Sequence, residues 1–350
     1  MRRAACLLLV LLLGAQAATP TGRRQLQGGS GVSAAISGGQ TAPRNRYRWN
    51  ASLRQGEGVL RGDPFCSAAL IEMRVLVTAA SCVLGANLGQ PPLPANAFRF
   101  PQVRLDNFEY RGGEYEIRKV QALLAPTAWK RGSPADDIAL LLLDRPSRMP
   151  PIALPKAGGP NPAAPLFQPL TVLGWGQWDA PPTQPDIPRY LQEVQLPLQR
   201  QAQCEYFYPQ YPVWRNKKSI CAGMHRGEGR RCCRLAPAGQ PPRCPAAEPT
   251  GHGRGQTEQR GQNKARAGLC KGDYGGPLFR PGRNASTDLL VGISAFKGDP
   301  GCKGGKPSGF TNVASYIPWI QGGFNIFFKG ANVTSQYRLL RDPGYDPSLP

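Results

Sequence analysis

Two short motifs and one acid carry the side chains of this chain that could do nucleophilic chemistry. The first motif is Gly272-Asp273-Tyr274-Gly275-Gly276-Pro277, and the second is Thr78-Ala79-Ala80-Ser81-Cys82; the acid is Asp137. Attack by a hydroxyl on an acyl group needs a base that takes the hydroxyl proton and an acid that orients the base. Neither the Tyr274 phenol nor the Ser81 hydroxyl is a base near neutral pH. These residues by themselves therefore offer no pair of nucleophile and base.

Histidine cannot repair this site. The chain contains two histidines, His225 and His252, and neither lies in either motif. His252 also falls within residues 226–267, which are rich in Arg, Gly, Pro and Gln and almost free of aliphatic residues. Such a composition cannot form a core, so we expect a long loop or a disordered insertion, unless the interval is an error in the gene product.

The remaining sequence indicates an all-β fold that positions these residues on strand ends and turns. Short apolar runs separated by Gly and Pro recur from about residue 50 to residue 320, and helical periodicity is scarce before 313–328. Residues 158–162 (Gly-Gly-Pro-Asn-Pro) read as a linker between two halves, and 331–350 as a loose C-terminal tail.

The N-terminus and the cysteines indicate secretion. Residues 1–18 combine a basic start, a short apolar run and small residues, as in a signal peptide, and residues 19–35 form a pro-segment. The chain has 10 cysteines, one of them inside the signal peptide. No cysteine and histidine spacing fits zinc, so we expect disulfides, no metal and no cofactor. Three glycosylation triplets fit the same compartment: Asn50, Asn284 and Asn332.

From Ile36 to about Gly330 the chain resembles the chymotrypsin-like serine proteases. Five motifs in the family's order carry the resemblance: Ile36-Ser37-Gly38-Gly39, Ala79-Ala80-Ser81-Cys82, Asp136 to Leu141, Gly174-Trp175-Gly176, and Cys270 to Pro277. The resemblance implies a double antiparallel β-barrel with a C-terminal helix, with barrels at about 36–157 and 165–315.

The resemblance also assigns roles within the site. Ser81 replaces the histidine base, Tyr274 replaces the nucleophilic serine, and Asp137 matches the orienting acid. The amides of Gly272 and Tyr274 match an oxyanion hole, and Asp273 matches the aspartate that pairs with the amine of a new N-terminus at Ile36. Phe296 is placed at a pocket wall where the family usually has glycine.

Family cysteine positions imply three disulfides. The pairs are Cys66 with Cys82, Cys204 with Cys221, and Cys270 with Cys302. A fourth family pair is absent, because Leu170 and Arg280 occupy its two positions. The pairing of Cys232, Cys233 and Cys244, which lie in the insertion, stays open.

The net charge is +21, and removal of the first 35 residues would leave +17. A secreted protein of this charge is expected to bind sulfated glycans and anionic bacterial envelopes rather than nucleic acid. Three clusters are the candidate binding residues: Arg44, Arg46 and Arg48; Arg215, Lys217 and Lys218; and Lys297, Lys303 and Lys306. Arginine suits sulfate and phosphate through its planar fork, and lysine acts as a point charge.

Within the family the chain resembles inactive, basic members stored in neutrophil granules, which share the Thr-Ala-Ala-Ser-Cys motif. That resemblance implies a non-enzymatic, antimicrobial and chemotactic protein of innate immunity. Its expected partners are heparin-like glycosaminoglycans, bacterial lipopolysaccharide or anionic membranes, and a leukocyte receptor. A serine endopeptidase with residual activity is the alternative, and a decoy that occupies protease inhibitors is a third hypothesis.

Overall fold

A computed structural model describes residues 38–54, 64–84, 100–176, 188–214, 216–223, 268–270, 272–298 and 305–342. The signal peptide, the pro-segment and the insertion 226–267 lie outside these described residues. The strands within them are β1 (Gln40–Thr41), β2 (Asn50–Arg54), β3 (Pro64–Glu72), β4 (Val75–Thr78), β5 (Gln102–Leu105), β6 (Glu116–Pro126), β7 (Ala139–Leu143), β8 (Pro169–Gly174), β9 (Gln192–Pro197), β10 (Ser219–Ala222), β11 (Pro277–Arg280), β12 (Leu289–Phe296), β13 (Ser308–Asn312) and β14 (Tyr337–Arg341). The helices are α1 (Ala80–Val83), α2 (Gln201–Phe207) and α3 (Ile317–Lys329).

The first sheet closes into a six-stranded antiparallel barrel. Its order is β14-β6-β5-β2-β3-β4-β7, and a further pairing of β6 with β7 completes the ring. Every residue of β2 is buried, because its two faces are covered in different ways. Ala51 and Leu53 lie in the barrel core, whereas Ser52 and Arg54 contact the segment that follows β5 through Asn107 and Tyr110.

The second sheet contains the strands that follow the linker. Its order is β1-β9-β8-β11-β12-β13-β10, and all its pairings are antiparallel. An isolated bridge from Leu198, just after β9, to Ala222 in β10 brings the two ends of this sheet together. With the C-terminal helix, these two sheets confirm the predicted all-β double-barrel fold.

Aromatic side chains and one buried carboxylate join the two sheets. Trp49, just before β2, packs edge-on against Phe279 of β11 with ring centroids 4.8 Å apart. Its indole nitrogen donates to Asp288, which lies between the 282–287 turn and β12, at 3.1 Å. The residue that precedes β2 of the first sheet is thereby tied to the second sheet and to Asp288.

The C-terminal segment corrects the prediction of a loose tail. Residues 337–341 form β14, which pairs antiparallel with the second half of β6. Tyr337 stacks on Trp319 of α3 and donates its hydroxyl to the Trp319 carbonyl at 2.7 Å. Helix α3 itself ends at Gly330, whose φ of 63° is left-handed. None of the helices in the described ranges has the length and apolarity needed to cross a bilayer.

Candidate functional site

Ser81 and Asp137 form a direct contact at the position where a catalytic base would stand. Ser81 lies in the first turn of α1, directly after β4, and Asp137 lies just before β7. The Ser81 hydroxyl donates to Asp137 Oδ2 at 2.8 Å, and the Ser81 amide donates to Oδ1 at 2.7 Å. Because β4 and β7 are paired, the barrel brings together two residues that are 56 positions apart.

Asp137 therefore has a structural role that the sequence does not reveal. Ala79, which precedes α1, offers no side-chain cap, and the Asp137 carboxylate accepts from the first amides of the helix instead. Burial raises the pKa of Asp137 to about 7, and the hydrogen bonds from Ser81 and Ala80 act in the opposite direction. The pair is a buried capping interaction in which both carboxylate oxygens accept from Ser81, and the Ser81 hydroxyl is not a base.

Removing the Ser81 hydroxyl should destabilise the chain only when Asp137 is ionised. The raised pKa means that folded Asp137 holds its proton more tightly than unfolded Asp137, so stability falls as pH rises from about 4 to about 7. Ser81→Ala removes a donor to the carboxylate and should raise the pKa of Asp137 further. We expect a loss of about 1–2 kcal/mol in the free energy of unfolding at pH 8 and little loss at pH 4.

Urea unfolding at the two pH values measures this difference. In an Asp137→Asn background, Ser81→Ala should lose its pH dependence, because no ionised carboxylate remains there. An equal loss at pH 4 and pH 8 in the Asp137 chain would contradict the assignment.

The loop around Tyr274 is fixed to both sheets by its backbone. The Tyr274 carbonyl accepts from the amide of Ser67 in β3 at 2.8 Å, and the Gly275 amide donates to the Ser294 carbonyl at 2.8 Å. Gly275 has a φ of 74°, and an added Cβ would overlap the Thr78 hydroxyl and lie 2.5 Å from the Ser67 carbonyl. The Tyr274 side chain is half-buried and packs against the core of the first barrel. The loop thus keeps its glycine-dependent conformation around a phenol.

Asp273 anchors the same loop from inside the second sheet. Its side chain is fully buried, and its carboxylate accepts from the amides of Gly176 and Cys270, each at 2.7 Å. Burial raises the pKa of Asp273 to about 7, against these two hydrogen bonds. Ile36, its predicted ion-pair partner, lies outside the described residues. Gly272 precedes Asp273 with a φ of 101°, and the pairing of its amide with that of Tyr274 in an oxyanion hole stays a prediction.

Phe296 belongs to an aromatic cluster. After a bulge in β12, Phe296 pairs with Gly309 of β13, and an added Cβ on Gly309 would overlap the Phe296 ring. The ring packs edge-on against Tyr208 at 5.1 Å and contacts Trp214 at 6.0 Å. This packing next to the Cys204 disulfide explains why the Phe296 ring is half-buried. The family resemblance had placed the same ring on a pocket wall.

Two of the predicted disulfides are present in the described residues. Cys66 joins Cys82, linking β3 to α1 beside Ser81, and Cys204 joins Cys221, linking α2 to β10. Cys270 is also disulfide-bonded, and its predicted partner Cys302 lies outside the described residues. Among the described residues, no group of three His, Cys, Asp or Glu side chains could hold a metal ion.

The structure corrects the first basic cluster. Arg46 makes two bonds to the fully buried Asp288, at 2.6 Å and 2.7 Å, and donates to the Gly282 carbonyl at 3.0 Å. Arg48 pairs with Asp106 at 2.9 Å. Arg44 is exposed, with its guanidinium 6.0 Å from the Phe108 ring centroid. Arg46 is therefore a structural residue and is withdrawn from the polyanion-binding set.

The structure also leaves fewer candidate binding residues in the other two basic clusters. Lys218 pairs with Asp136 at 2.7 Å, so it also contributes to the fold. Lys217 and Lys306 are exposed and Lys297 is half-buried, whereas Arg215 and Lys303 lie outside the described residues. No sequence signal identified Asp288 or Asp136 as the carboxylates that hold these cations, since the pairs are 242 and 82 positions apart.

Only two of the three predicted glycosylation sites are accessible. Asn50 lies in β2 at 1% exposure, where the folded chain has no room for a glycan, and it is withdrawn. Asn284 and Asn332 are exposed and stay predictions. Around Asn284 the triplet folds into a single turn in which the Ser286 hydroxyl donates to Asn284 Oδ1 at 2.9 Å.

Comparison with known proteins agrees with this geometry. The family model described as Trypsin matches residues 36–234 and 240–320. Glucanase inhibitor protein 3 of Phytophthora infestans is 23% identical over 288 residues, which cover 81% of this chain and 86% of that protein. Phenoloxidase-activating factor 3 of Holotrichia diomphalia is 24% identical over 307 residues, which cover 82% and 71% of the two chains. With the double barrel and the motifs that surround its site, these matches establish that the chain belongs to the trypsin family.

Proposed function

We propose that this chain is a catalytically inert trypsin-family protein that acts by binding polyanions. The observation that supports the absence of catalysis is the hydrogen bond from the Ser81 hydroxyl to Asp137 at 2.8 Å. A serine hydroxyl donates to the acid there and cannot accept the proton of a nucleophile near neutral pH. With Tyr274 in the nucleophile loop, base and nucleophile are missing together, and their contributions to catalysis act as a unit.

The net charge of +21 supports the proposed binding of polyanions. The candidates that stay in the set are Arg44, Lys217 and Lys306, which are exposed, and Lys297, which is half-buried, with Arg48 in a partly exposed pair. Because exposed cations are screened by salt, binding through them should weaken steeply as ionic strength rises. Sulfated glycosaminoglycans and bacterial lipopolysaccharide are the polyanions that a secreted chain would meet.

The motif Thr78-Ala79-Ala80-Ser81-Cys82 makes azurocidin the family member that this chain resembles in detail. By that resemblance the protein is stored in leukocyte granules, is released from the cell, binds heparin-like glycans, kills bacteria and attracts leukocytes through a receptor. The name of one relative, a glucanase inhibitor, also supports a role other than hydrolysis. The alternative is a serine endopeptidase with residual activity, and labelling of Tyr274 by a fluorophosphonate would favour it.

Heparin chromatography in a salt gradient tests the proposal. A triple variant that reverses Arg44, Lys217 and Lys306 to Glu should lose about tenfold or more in heparin affinity. The matched control reverses three other exposed cations, Lys130, Lys156 and Arg283, and changes the net charge by the same amount.

The two triple variants separate a local site from a general charge effect. If the control loses as much as the candidate variant, the summed charge binds heparin and these three residues have no special part. Elution of the unaltered chain below physiological salt would contradict polyanion binding itself.

A further inference from the structure

The end of helix α3 presents an aromatic surface. The helix buries Ile317, Ile320 and Ile326 against the first barrel, and Gly323 lies close enough that an added Cβ would be 2.5 Å from Leu140 of β7. Its last two turns carry Phe324, Phe327 and Phe328, which we call the C-terminal aromatic patch.

The patch lies partly in solvent. Phe328 is 43% exposed, and its ring centroid lies 6.4 Å from those of Phe324 and Phe327, which are half-buried. Val333, five residues further on, is also 43% exposed. Clustered apolar side chains at a surface mark interaction sites more often than single ones do.

Cations outnumber acids in the segment that carries the patch. Residues 313–342 contain three cations, Lys329, Arg338 and Arg341, and one acid, Asp342. Lys329 and Arg338 are exposed, and Lys329 occupies the last turn of α3 beside Phe328. Aromatic residues flanked by lysine and arginine are the composition of segments that lie in the interface of anionic membranes.

We infer that the C-terminal aromatic patch docks on the surface of an anionic phospholipid bilayer, with Phe328 inserted among the headgroups and Lys329 and Arg338 against the lipid phosphates. This inference rests on the proposed polyanion binding and gives it a site away from the degenerate catalytic cleft. A second copy of the chain fits the patch less well, because it would bring the same cations, on a chain of charge +21, against each other.

The predicted glycosylation site Asn332 lies three residues after Lys329 and just before Val333. A glycan at Asn332 would hold a bilayer away from the patch. The membrane contact is therefore that of the chain without the glycan. Every chain in the test below, including the reference that is called the unaltered chain, carries Asn332→Gln.

Vesicle co-sedimentation tests the inference. The chain should bind vesicles of phosphatidylcholine mixed with phosphatidylglycerol and bind phosphatidylcholine alone much more weakly. Phe328→Ser should lower the partition onto the mixed vesicles about tenfold, and Lys329→Glu about fivefold. The control is Phe167→Ser, which removes another exposed aromatic ring, 51% exposed, from a different surface and should change binding less than about twofold.

Heparin elution of the same variants separates this inference from the proposed function. Phe328→Ser should elute from heparin at the salt concentration of the unaltered chain, since it changes no charge. If heparin binding persists while Phe328→Ser binds vesicles as the unaltered chain does, the patch is not the membrane contact and polyanion binding stands. If the unaltered chain binds neither heparin nor mixed vesicles, both proposals are wrong. A concentration-dependent dimer that Phe328→Ser abolishes would show a second copy on the patch and overturn the inference.

Discussion

Replacing Arg46 by alanine should lower the free energy of unfolding by about 3–5 kcal/mol, because it leaves the Asp288 carboxylate buried without a cation. Asp288 has no exposed surface and accepts two bonds from Arg46, one from the Trp49 indole and one from the Gly282 amide. The two remaining donors, the Trp49 indole and the Gly282 amide, are neutral and cannot supply the lost charge to a group shielded from water. Urea unfolding at neutral pH, followed by tryptophan fluorescence, measures the change.

Arg48→Ala is the matched control, two residues away in the same predicted cluster. Arg48 pairs with Asp106 at 2.9 Å, but the two side chains are 43% and 18% exposed. Water can solvate Asp106 when its partner is removed, so we expect a loss of less than about 1 kcal/mol.

A double variant tests the cause of the Arg46 effect. In the Arg46→Ala background, Asp288→Asn should recover part of the lost stability, since it removes the unpaired charge. Equal losses in Arg46→Ala and Arg48→Ala would instead show that burial of Asp288 does not matter.

These two arginines also show what the sequence could not predict. Arg44, Arg46 and Arg48 alternate with other residues in one short run, and nothing near them in the chain distinguishes a solvated cation from a buried one. The difference comes from Asp288, which the folding of the second sheet brings to Arg46 from 242 positions away. Burial of a single carboxylate decides which arginine stabilises the fold and which is available to a ligand.

The fold could be predicted because it depends on local patterns. Apolar runs between turns indicated the strands, and the motifs around Ser81, Asp137 and Tyr274 fixed their order. The sequence also placed Ser81 opposite Asp137, although only the structure shows that Asp137 caps α1. Strand β14 was missed because its pairing with β6 and the stacking of Tyr337 on Trp319 are tertiary contacts, which have no signature in a short polar tail.

Positions 174 and 176, in Gly174-Trp175-Gly176, require glycine for a steric reason. The sequence could suggest this only through its resemblance to the family. An added Cβ at Gly174 would overlap Asp273 Oδ1 and lie 2.8 Å from Asp273 Cγ. The carboxylate cannot turn away without losing its bonds from the Gly176 and Cys270 amides. Gly174→Ala should therefore cost about 4 kcal/mol or more in the free energy of unfolding.

Gly112→Ala is the control for the same chemical change. Its added Cβ would lie 3.4 Å from Glu109 Oε2, the end of a side chain that can move. We expect a change within about 1 kcal/mol, since alanine lowers the conformational entropy of the unfolded chain and this offsets the mild contact. If Gly174→Ala unfolds at the same urea concentration as Gly112→Ala, the overlap with Asp273 is not what requires glycine.

Asp273→Ala keeps the test measurable if Gly174→Ala fails to fold. It removes the overlapping atoms and leaves only a 3.4 Å contact to Asp273 Cβ, so the double variant should be more stable than Gly174→Ala alone. Rescue of this kind would show that the overlap with Asp273, in which Tyr274 takes no part, is what requires glycine at position 174. A chain could then exchange its nucleophile for tyrosine and keep the loop, because the steric constraint acts on the neighbours of that residue.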